Sequence, residues 1–303
     1  IVTPATCPGS PFNVTVTVNP TPVIANTTTT ICSEGTFTVT PTNGSDIVPS
    51  GTTYTWAAPS VAGITGSVAG SGASSISGTL TNTTNAPIDV TYTVTPIAGS
   101  CTGSTFTVTV TVFPTPALSS TLTPAAICSE ATFSYTATSN TVAATGSTVM
   151  TWTRAAVTGI TETASSGNGD ISEVLTNTTN APIDVTYVYT ITSNGCSATN
   201  DVVVTVNPTP TVDAITSQIL CNSDASTAIT FASTFNVTGT TYSWTNSNTS
   251  TGLSQSSGTG DIASFTATNN TNTPILSTII VTPTANGCDG LDETFTIRVN
   301  PTP

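Results

Sequence analysis

The sequence repeats itself with a period close to 94 residues, and no other feature constrains the fold as strongly. The tripeptide Pro-Thr-Pro, preceded by Asn or Phe, recurs in motifs that start at residues 19, 113, 207 and 300, which are 94, 94 and 93 residues apart. Self-similarity at a fixed period is the signature of tandem structural units. We therefore expect domains at 23–116 (repeat 1), 117–210 (repeat 2) and 211–303 (repeat 3), with residues 1–22 forming the C-terminal strand or strands of a truncated preceding repeat.

Each repeat carries one tryptophan between two cysteines, at nearly constant spacing. The first cysteine precedes the tryptophan by 24, 24 and 23 residues, and the second follows it by 45, 44 and 44. The tryptophans are Trp56, Trp152 and Trp244; the first cysteines are Cys32, Cys128 and Cys221; the second cysteines are Cys101, Cys196 and Cys288. Since each tryptophan stands beside apolar strand residues at one repeat position, we expect it to pack in the core rather than to stack on sugars.

Apolar residues alternate with threonine along several short segments. Phe106, Val108, Val110 and Val112 show the pattern before one Pro-Thr-Pro motif, and equivalent residues precede the others. A turn with Gly and Cys joins this segment to a similar one before it, which predicts a β-hairpin. Helical periodicity is absent. About seven alternating strands per repeat predict an all-β fold of tandem immunoglobulin-like (Ig-like) β-sandwiches.

The charge composition excludes several classes of function. The chain has no Lys and no His, its only cations are Arg154 and Arg298, and its net charge is −13. Nucleic-acid binding needs cations to neutralise phosphates, so we expect none. No apolar run is long enough to span a bilayer, so we expect no membrane insertion within this segment. With no base to activate Ser or Thr and no repeated carboxylate pair, we expect neither an enzyme nor a cofactor.

Seven cysteines in a strand-rich chain of this composition predict disulfides and an oxidising, extracellular compartment. The regular spacing suggests pairing within each repeat, as Cys32–Cys101, Cys128–Cys196 and Cys221–Cys288. Cys7 is then unpaired, as the second cysteine of the truncated repeat. Each such bridge would contribute roughly 4 kcal/mol in the chain-entropy model. Metal binding by these cysteines is disfavoured because each repeat offers too few ligands.

The proline motifs predict stiff connections between repeats. Proline fixes its own φ and removes ladder donors, so a strand must stop there. Alternating prolines favour an extended polyproline-II segment, and we expect the repeats to form an extended rod. The linker prolines are Pro20, Pro22, Pro114, Pro116, Pro208 and Pro210.

The loops offer two further candidate sites, one for structural calcium and one for ligand recognition. Structural calcium needs several converging oxygens. Asp170 and Asp261 recur, as do Asp89 and Asp184, but each pair lacks a counterpart in one repeat. Solvated loop carboxylates are therefore the preferred interpretation. The loops at 43–51, 140–148 and 246–260 vary most between repeats and are the candidates for ligand recognition.

The segments Tyr54-Thr55-Trp56, Thr91–Pro96 and Phe106–Val112 resemble PKD-like and Ig-like repeats of very large cell-surface proteins of Bacteroidota, including gliding-motility adhesins exported by type IX secretion. The chain departs from the usual PKD pattern after the tryptophan, where Ala57-Ala58-Pro59-Ser60 replaces an Asp-Phe-Gly-Asp-Gly-like turn. Only the PKD-like relatives fit. The resemblance implies display on a bacterial cell surface and a spacer or adhesive role.

Three functions remain open at this point. The preferred one is a stalk or spacer of an extracellular adhesin or surface filament, whose partners are the neighbouring repeats of the same chain. The second is a module that binds surface glycans or other cell-surface proteins through the variable loops. The third is a subunit of a polymerised filament, in which strands or Cys7 pair between chains.

Overall fold

The computed structural model describes residues 8–302, and its regular structure is almost entirely β-strand. The strands of repeat 1 are β1 (Thr27–Cys32), β2 (Gly35–Val39), β3 (Thr53–Trp56), β4 (Ile64–Thr65), β5 (Gly70–Ala73), β6 (Ile76–Asn82), β7 (Ile88–Ala98), β8 (Cys101–Thr102) and β9 (Phe106–Phe113). Those of repeat 2 are β10 (Ile127–Cys128), β11 (Thr132–Tyr135), β12 (Val149–Arg154), β13 (Ser165–Asn168), β14 (Ile171–Val174), β15 (Ile183–Ser193) and β16 (Cys196–Asn207). Those of repeat 3 are β17 (Gln218–Cys221), β18 (Thr241–Asn246), β19 (Ser257–Thr259), β20 (Ile275–Ala285), β21 (Cys288–Asp289) and β22 (Glu293–Asn300).

Helical structure is confined, within residues 8–302, to one 3₁₀ turn at Thr249–Thr251. No helix in this part of the chain is long and apolar enough to cross a lipid bilayer.

Every repeat builds its larger sheet in the same order. The orders are β1-β9-β7-β3-β5, β10-β16-β15-β12-β13 and β17-β22-β20-β18-β19. In each sheet the first strand runs parallel to the last strand of the repeat, and the other neighbours are antiparallel. The smaller sheet is β2-β6-β4 in repeat 1 and β11-β14 in repeat 2, and isolated bridges replace it in repeat 3. The predicted class, tandem Ig-like β-sandwich modules, is confirmed.

The alternating apolar residues fill three cores, and each core draws its buried residues from one repeat. In β9, Val108, Val110 and Val112 are completely buried, while the threonines between them are half-buried. Burying a side chain of this size contributes about 1.5–3 kcal/mol. Aromatic contacts add to the packing, as between Phe37 and Tyr92, whose ring centroids are 5.3 Å apart.

Contacts divide the chain into two compact units that do not follow the repeat boundaries. The first consists of Ile1–Pro116, Thr141–Thr148 and Ser193–Ser197, and the second of Ala117–Asn140, Val149–Thr192 and Ala198–Pro303. A loop and a hairpin turn of repeat 2 therefore belong to the first unit. The boundaries at 22/23, 116/117 and 210/211 stay a prediction, as does the extended rod.

Each tryptophan is buried against a glycine on the neighbouring strand. The pairs are Trp56 with Gly70, Trp152 with Gly167, and Trp244 with Gly258. A Cβ on these glycines would lie only 2.3, 2.6 and 2.3 Å from the indole ring, so no larger residue fits without movement. All three tryptophans are 6% exposed, and each belongs to the core of its own repeat.

A buried asparagine makes the same side-chain hydrogen bonds in every repeat. The Asn82 side-chain amide donates to the carbonyl oxygens of Ala86 and Val112, both at 2.8 Å. Its oxygen accepts hydrogen bonds from the backbone and hydroxyl of the residue two positions on. Asn177 and Asn269 make the same contacts in repeats 2 and 3. Since buried carbonyls need partners, this side chain is part of the fold.

Residues 8–22 carry the alternating pattern but form no strand. Phe12, Val14, Val16 and Val18 are 73–85% exposed. The equivalent strand of repeat 1, β9, lies between β1 and β7, and the described residues offer no such pair of neighbours here. The expected strand of a preceding repeat is therefore not formed in this segment, because alternation alone supplies no ladder partners.

We expect Asn177→Ala to destabilise repeat 2 by about 1–3 kcal/mol, because the buried carbonyl oxygen of Val206 loses the side-chain amide that donates to it. Hydrogen–deuterium exchange should be faster in peptides from β15 and β16 and little changed in peptides from β22. The exposed Asn140→Ala is the control. Equal exchange in the two variants would show that the buried amide does not stabilise the repeat.

Candidate functional site at the repeat junctions

The two cysteines of one repeat lie at opposite ends of its larger sheet. Cys32 is the last residue of β1 and stands opposite Phe113, the last residue of the parallel strand β9. Cys101 is the first residue of β8, which pairs with the end of β7 and precedes Phe106, the first residue of β9. At about 3.3 Å per residue, the length of β9 separates the two cysteines by roughly 20–25 Å. A disulfide requires Cα atoms within about 7 Å, so the pair cannot bond.

The disulfides instead join consecutive repeats. Cys32 bonds Cys196, and Cys128 bonds Cys288, with Cα–Cα distances of 5.7 and 5.6 Å. The first cysteine of one repeat thus bonds the second cysteine of the next. The pairs expected from the sequence, Cys32–Cys101, Cys128–Cys196 and Cys221–Cys288, are wrong because equal spacing says nothing of the sheet end at which each cysteine lies. Cys7, expected to be unpaired, lies outside the described residues.

Two cysteines within residues 8–302 carry no disulfide. They are Cys101, which is half-buried, and Cys221, which is exposed. Cys101 is the second cysteine of repeat 1, and Cys221 is the first cysteine of repeat 3. In the observed pairing scheme, their partners would be a first cysteine before repeat 1 and a second cysteine after repeat 3.

Tight turns present the bonded second cysteines. Cys196 follows Asn194-Gly195, and Cys288 follows Asn286-Gly287. All four turn residues have positive φ, between 51° and 77°. Asn-Gly is the preferred dipeptide of a two-residue hairpin because both positions need the left-handed region. The turn therefore fixes where the sulfur stands at the end of the hairpin.

Hydrogen bonds accompany each disulfide. Near Cys128–Cys288, the side-chain amide of Asn207 donates to the carbonyl oxygen of Asn286 at 3.1 Å. In the same unit, the side-chain amide of Asn180 donates to the carbonyl oxygen of Asn236 at 3.2 Å.

Near Cys32–Cys196, the backbone N–H of Val142 donates to the carbonyl oxygen of Asn85 at 2.7 Å. Asn85 and Asn180 occupy the same repeat position. Both junctions are therefore arranged in the same way: the loop before the strand that carries the tryptophan contacts the preceding repeat.

Five of the six linker prolines are packed rather than solvated. Pro22, Pro114, Pro116, Pro208 and Pro210 are all buried, and Pro20 is exposed. Glycines make room for two of them, since a Cβ on Gly103 or Gly290 would lie 2.2 Å from the Pro22 oxygen or 1.9 Å from the Pro210 oxygen. These five linker prolines are thus part of the packed structure, and the stiffness of the connections stays a prediction.

The variable loops differ in how free they are. The 140–148 loop is engaged at a junction: Val142 contacts Asn85, and Asn194 accepts a hydrogen bond from the backbone of Ala144 at 2.7 Å. The 43–51 loop is folded back on its own repeat, where Asp46 accepts from the backbone of Ala25 at 3.0 Å. The 246–260 segment contains the 3₁₀ turn and β19. Recognition of a ligand by these loops stays a prediction.

Repeat 2 contains a buried ion pair that its sequence pattern does not indicate. Arg154 is 2% exposed, and its Nε lies 2.9 Å from a carboxylate oxygen of Glu173, which also accepts from the Tyr187 hydroxyl at 2.7 Å. Arg154 also donates to the carbonyl oxygen of Thr163 at 2.8 Å. Burial alone would raise the pKa of Glu173, but hydrogen bonds from Arg154, Ser165 and Tyr187 outweigh it and lower the pKa below its usual value.

Within 8–302, no group of three or more Cys, Asp or Glu residues is placed to hold a metal ion. A groove of about 550 Å³ beside Trp244 is lined by one carboxylate, Asp292, which accepts a hydrogen bond from the Thr282 hydroxyl at 2.6 Å. Glycoside hydrolysis usually needs two facing carboxylates.

Each repeat is similar to one known domain family. A model of the PKD-like domain family matches residues 29–116, 125–210 and 218–303. No curated protein matches the chain. Among solved structures, a three-Ig fragment of titin, in an E-to-A mutated variant, has 10% identity, a TM-score of 0.34 and coverage of 93% of this chain and 97% of that one. Mouse cadherin-23 domains EC22-24 have 13% identity, a TM-score of 0.33 and coverage of 93% and 99%.

We expect peptic digestion of the oxidised protein, followed by mass spectrometry, to yield cystine peptides that link Cys32 to Cys196 and Cys128 to Cys288. Acid digestion suppresses disulfide exchange because thiolates are protonated. Cys101 and Cys221 should be accessible to alkylation under denaturing conditions without reductant. A peptide that joins Cys32 to Cys101 would contradict the strand arrangement described above.

We expect the Arg154–Glu173 pair to make repeat 2 sensitive to acid. Because the folded-state pKa of Glu173 is lowered, its contribution is complete above the unfolded pKa, about 4.3, and is lost as the pH falls through the folded value. The difference in thermal midpoint between the wild type and Glu173→Gln should therefore narrow from pH 6 to pH 3. Glu293→Gln controls for the removal of one negative charge. A gap that widens in acid would contradict the role of the ion pair.

Proposed function

Because the chain belongs to the PKD-like domain family, with three copies in tandem, we propose that it is the spacer region of a large extracellular cell-surface protein. In this proposal it projects a distal adhesive part, whose partners are glycans or proteins of another surface, and the spacer itself has no enzymatic activity. A bacterial surface adhesin of the gliding-motility type, exported by type IX secretion, is the specific form that the sequence resemblance favours.

The observation that carries the proposal is the bonding of each repeat to the next by a cystine as well as by the peptide linker. The disulfides close segments with sequence separations of 164 and 160. In the chain-entropy model each bridge of this length contributes roughly 5 kcal/mol against unfolding, if the two are treated as independent. A chain built to resist separation of its modules fits a mechanical role.

The same disulfides support an oxidising, extracellular compartment for this chain. Disulfides form and persist in oxidising environments such as the extracellular space or the bacterial periplasm. Lysine-based crosslinks are impossible here because the chain contains no Lys, so cystine is the covalent crosslink that this composition allows.

The surface chemistry supports a spacer more than a binding module. Thr91 and Thr109 pair across the outer face of the larger sheet, with their hydroxyl oxygens 3.2 Å apart. Thr111 similarly donates to Asp89 at 2.6 Å. Such neutral or weakly acidic faces, with a net charge of −13 for the chain, discourage nonspecific association with anionic surfaces and with other copies.

The disulfides also limit how far the chain can be stretched. When all repeats are unfolded but oxidised, the shortest covalent path enters at Cys32, passes to Cys196, runs back to Cys128 and leaves through Cys288. This path contains about 115 residues, or roughly 400 Å at full extension. The reduced chain of 303 residues would extend to roughly 1,050 Å.

We expect single-molecule stretching from both termini to show this difference in contour length, with the short value in oxidising buffer and the long value after reduction. A variant with both Cys32→Ser and Cys128→Ser should give the long value without reductant. A long contour length for the oxidised wild type would remove the main support for the spacer.

Electron microscopy tests the spacer independently. Three compact beads in a row would support it, and a collapsed particle would count against it.

A further inference from the structure

The two cysteines without a disulfide lie where the bonded ones lie in the neighbouring repeats. We propose that Cys221 bonds the second cysteine of a PKD-like module joined after Pro303, and that Cys101 bonds the first cysteine of a module of the same type joined before residue 23. The pairing rule, from each first cysteine to the second cysteine of the next module, then holds along the whole array. This inference does not depend on what the array does for a cell.

The backbone around Cys221 reproduces that around Cys128. Cys221 ends β17 opposite Asn300, just as Cys128 ends β10 opposite Asn207. The next residue donates its N–H to the Asn300 oxygen at 3.0 Å in one case and to the Asn207 oxygen at 2.8 Å in the other.

The turn that follows is also the same. Ser223 and Glu130 both adopt positive φ, 75° and 67°, which is uncommon for residues other than glycine. Cys221 and Cys128 therefore occupy matching backbone positions at the end of their sheets.

The groups that receive the incoming hairpin are also repeated. Asn207 contributes the amide that donates to the carbonyl oxygen of Asn286, next to the disulfide. Asn300 stands at the same place beside Cys221 and begins the last Asn-Pro-Thr-Pro motif. An incoming Asn-Gly-Cys or Gly-Ser-Cys turn would therefore meet both a thiol and an amide donor.

An independent observation at Cys101 supports the other half of the proposal. The Cys101 sulfur lies 3.8 Å from the carbonyl oxygen of Asn19, which has the same position in its motif as Asn207. Gly103 packs against the Pro22 oxygen as Gly290 packs against the Pro210 oxygen. The hairpin that carries Cys101 therefore packs on the linker before repeat 1, just as the hairpin that carries Cys288 packs on the linker before repeat 3.

Each new bond requires an oxidant. Two thiols lose two protons and two electrons as the sulfur–sulfur bond forms, and a small disulfide such as oxidised glutathione accepts them and leaves as two thiols. The reaction proceeds by thiolate attack and a mixed disulfide, so the exposed Cys221 is the accessible starting point.

The completed array would contain two alternating covalent paths. Cys196 and Cys221 are only 25 residues apart, so a path that enters at Cys32 could leave at Cys221 for the second cysteine of the following module. A stretch of about 25 residues extends to roughly 85 Å, and it would carry the force across two modules.

The test is a chain of four repeats, made by joining a second copy of residues 211–303 after Pro303. The copy carries the substitutions Ile219→Val and Leu291→Val, at positions that are 70% and 88% exposed, so that its cystine peptides differ in mass from the originals. After oxidation in glutathione buffer, peptic mapping should find Cys221 bonded to the copy's counterpart of Cys288. The matched control carries Cys288→Ser in the copy, and Cys221 should then be alkylated.

The Cys128–Cys288 cystine in the same digest shows that the molecule has folded and oxidised. With that bond present, a Cys221 that is free, bonded to glutathione or bonded to Cys101 overturns the proposal.

A second chain, with a copy of residues 117–206 in place of residues 1–18, tests Cys101 separately. There the copy's counterpart of Cys128, marked by Ile127→Val, should bond Cys101. The stretching experiment on the three-repeat chain tests the proposed spacer separately. Its result does not depend on how the peptide maps of the two longer chains pair Cys101 and Cys221.

Discussion

The parallel pairing of the first strand with the last strand of each repeat determines at which end of the larger sheet each cysteine lies. Because β1 runs parallel to β9, its final residue Cys32 lies at the end of the sheet from which the chain leaves the repeat. The hairpin that carries Cys101 lies at the opposite end, where the chain enters. An antiparallel first strand would reverse one end and bring the two cysteines closer together. The bonding of each repeat to the next, rather than within itself, follows from this strand direction.

The sequence was sufficient for the fold but not for the pairing of the cysteines. Period-two alternation predicted β7 and β9 because one face of each strand is buried and the other is not. The spacing of the cysteines predicts the wrong pairs because it does not include strand direction, but the sequence does contain a usable signal. Cys32 follows Pro22 by 10 residues and Cys101 precedes the next motif by 12. Each distance is about one strand, so the two cysteines had to lie at opposite ends of the repeat.

The polar residues inside the repeats were harder to predict. Asn82 looks like one more asparagine in a chain rich in Asn and Thr, yet its amide donates to the carbonyl oxygen of Ala86 and to the buried carbonyl oxygen of Val112. Arg154 stands two residues after a tryptophan, where repeat 1 has Ala58, and nothing local indicates that it is buried against Glu173. Such partners come from strands distant in sequence. Periodicity shows which face of a strand is buried, but not which polar groups meet there.

The two disulfides overlap along the chain, and this overlap changes what a single cut by a protease can do. Residues 129–195 lie inside both closed segments. If the backbone is cleaved there, one fragment keeps Cys32 and Cys128, the other keeps Cys196 and Cys288, and two cystines still hold them together. Cleavage elsewhere between Cys32 and Cys288 leaves the fragments joined by one. An array connected in this way tolerates backbone damage at almost any single point without releasing what lies beyond it.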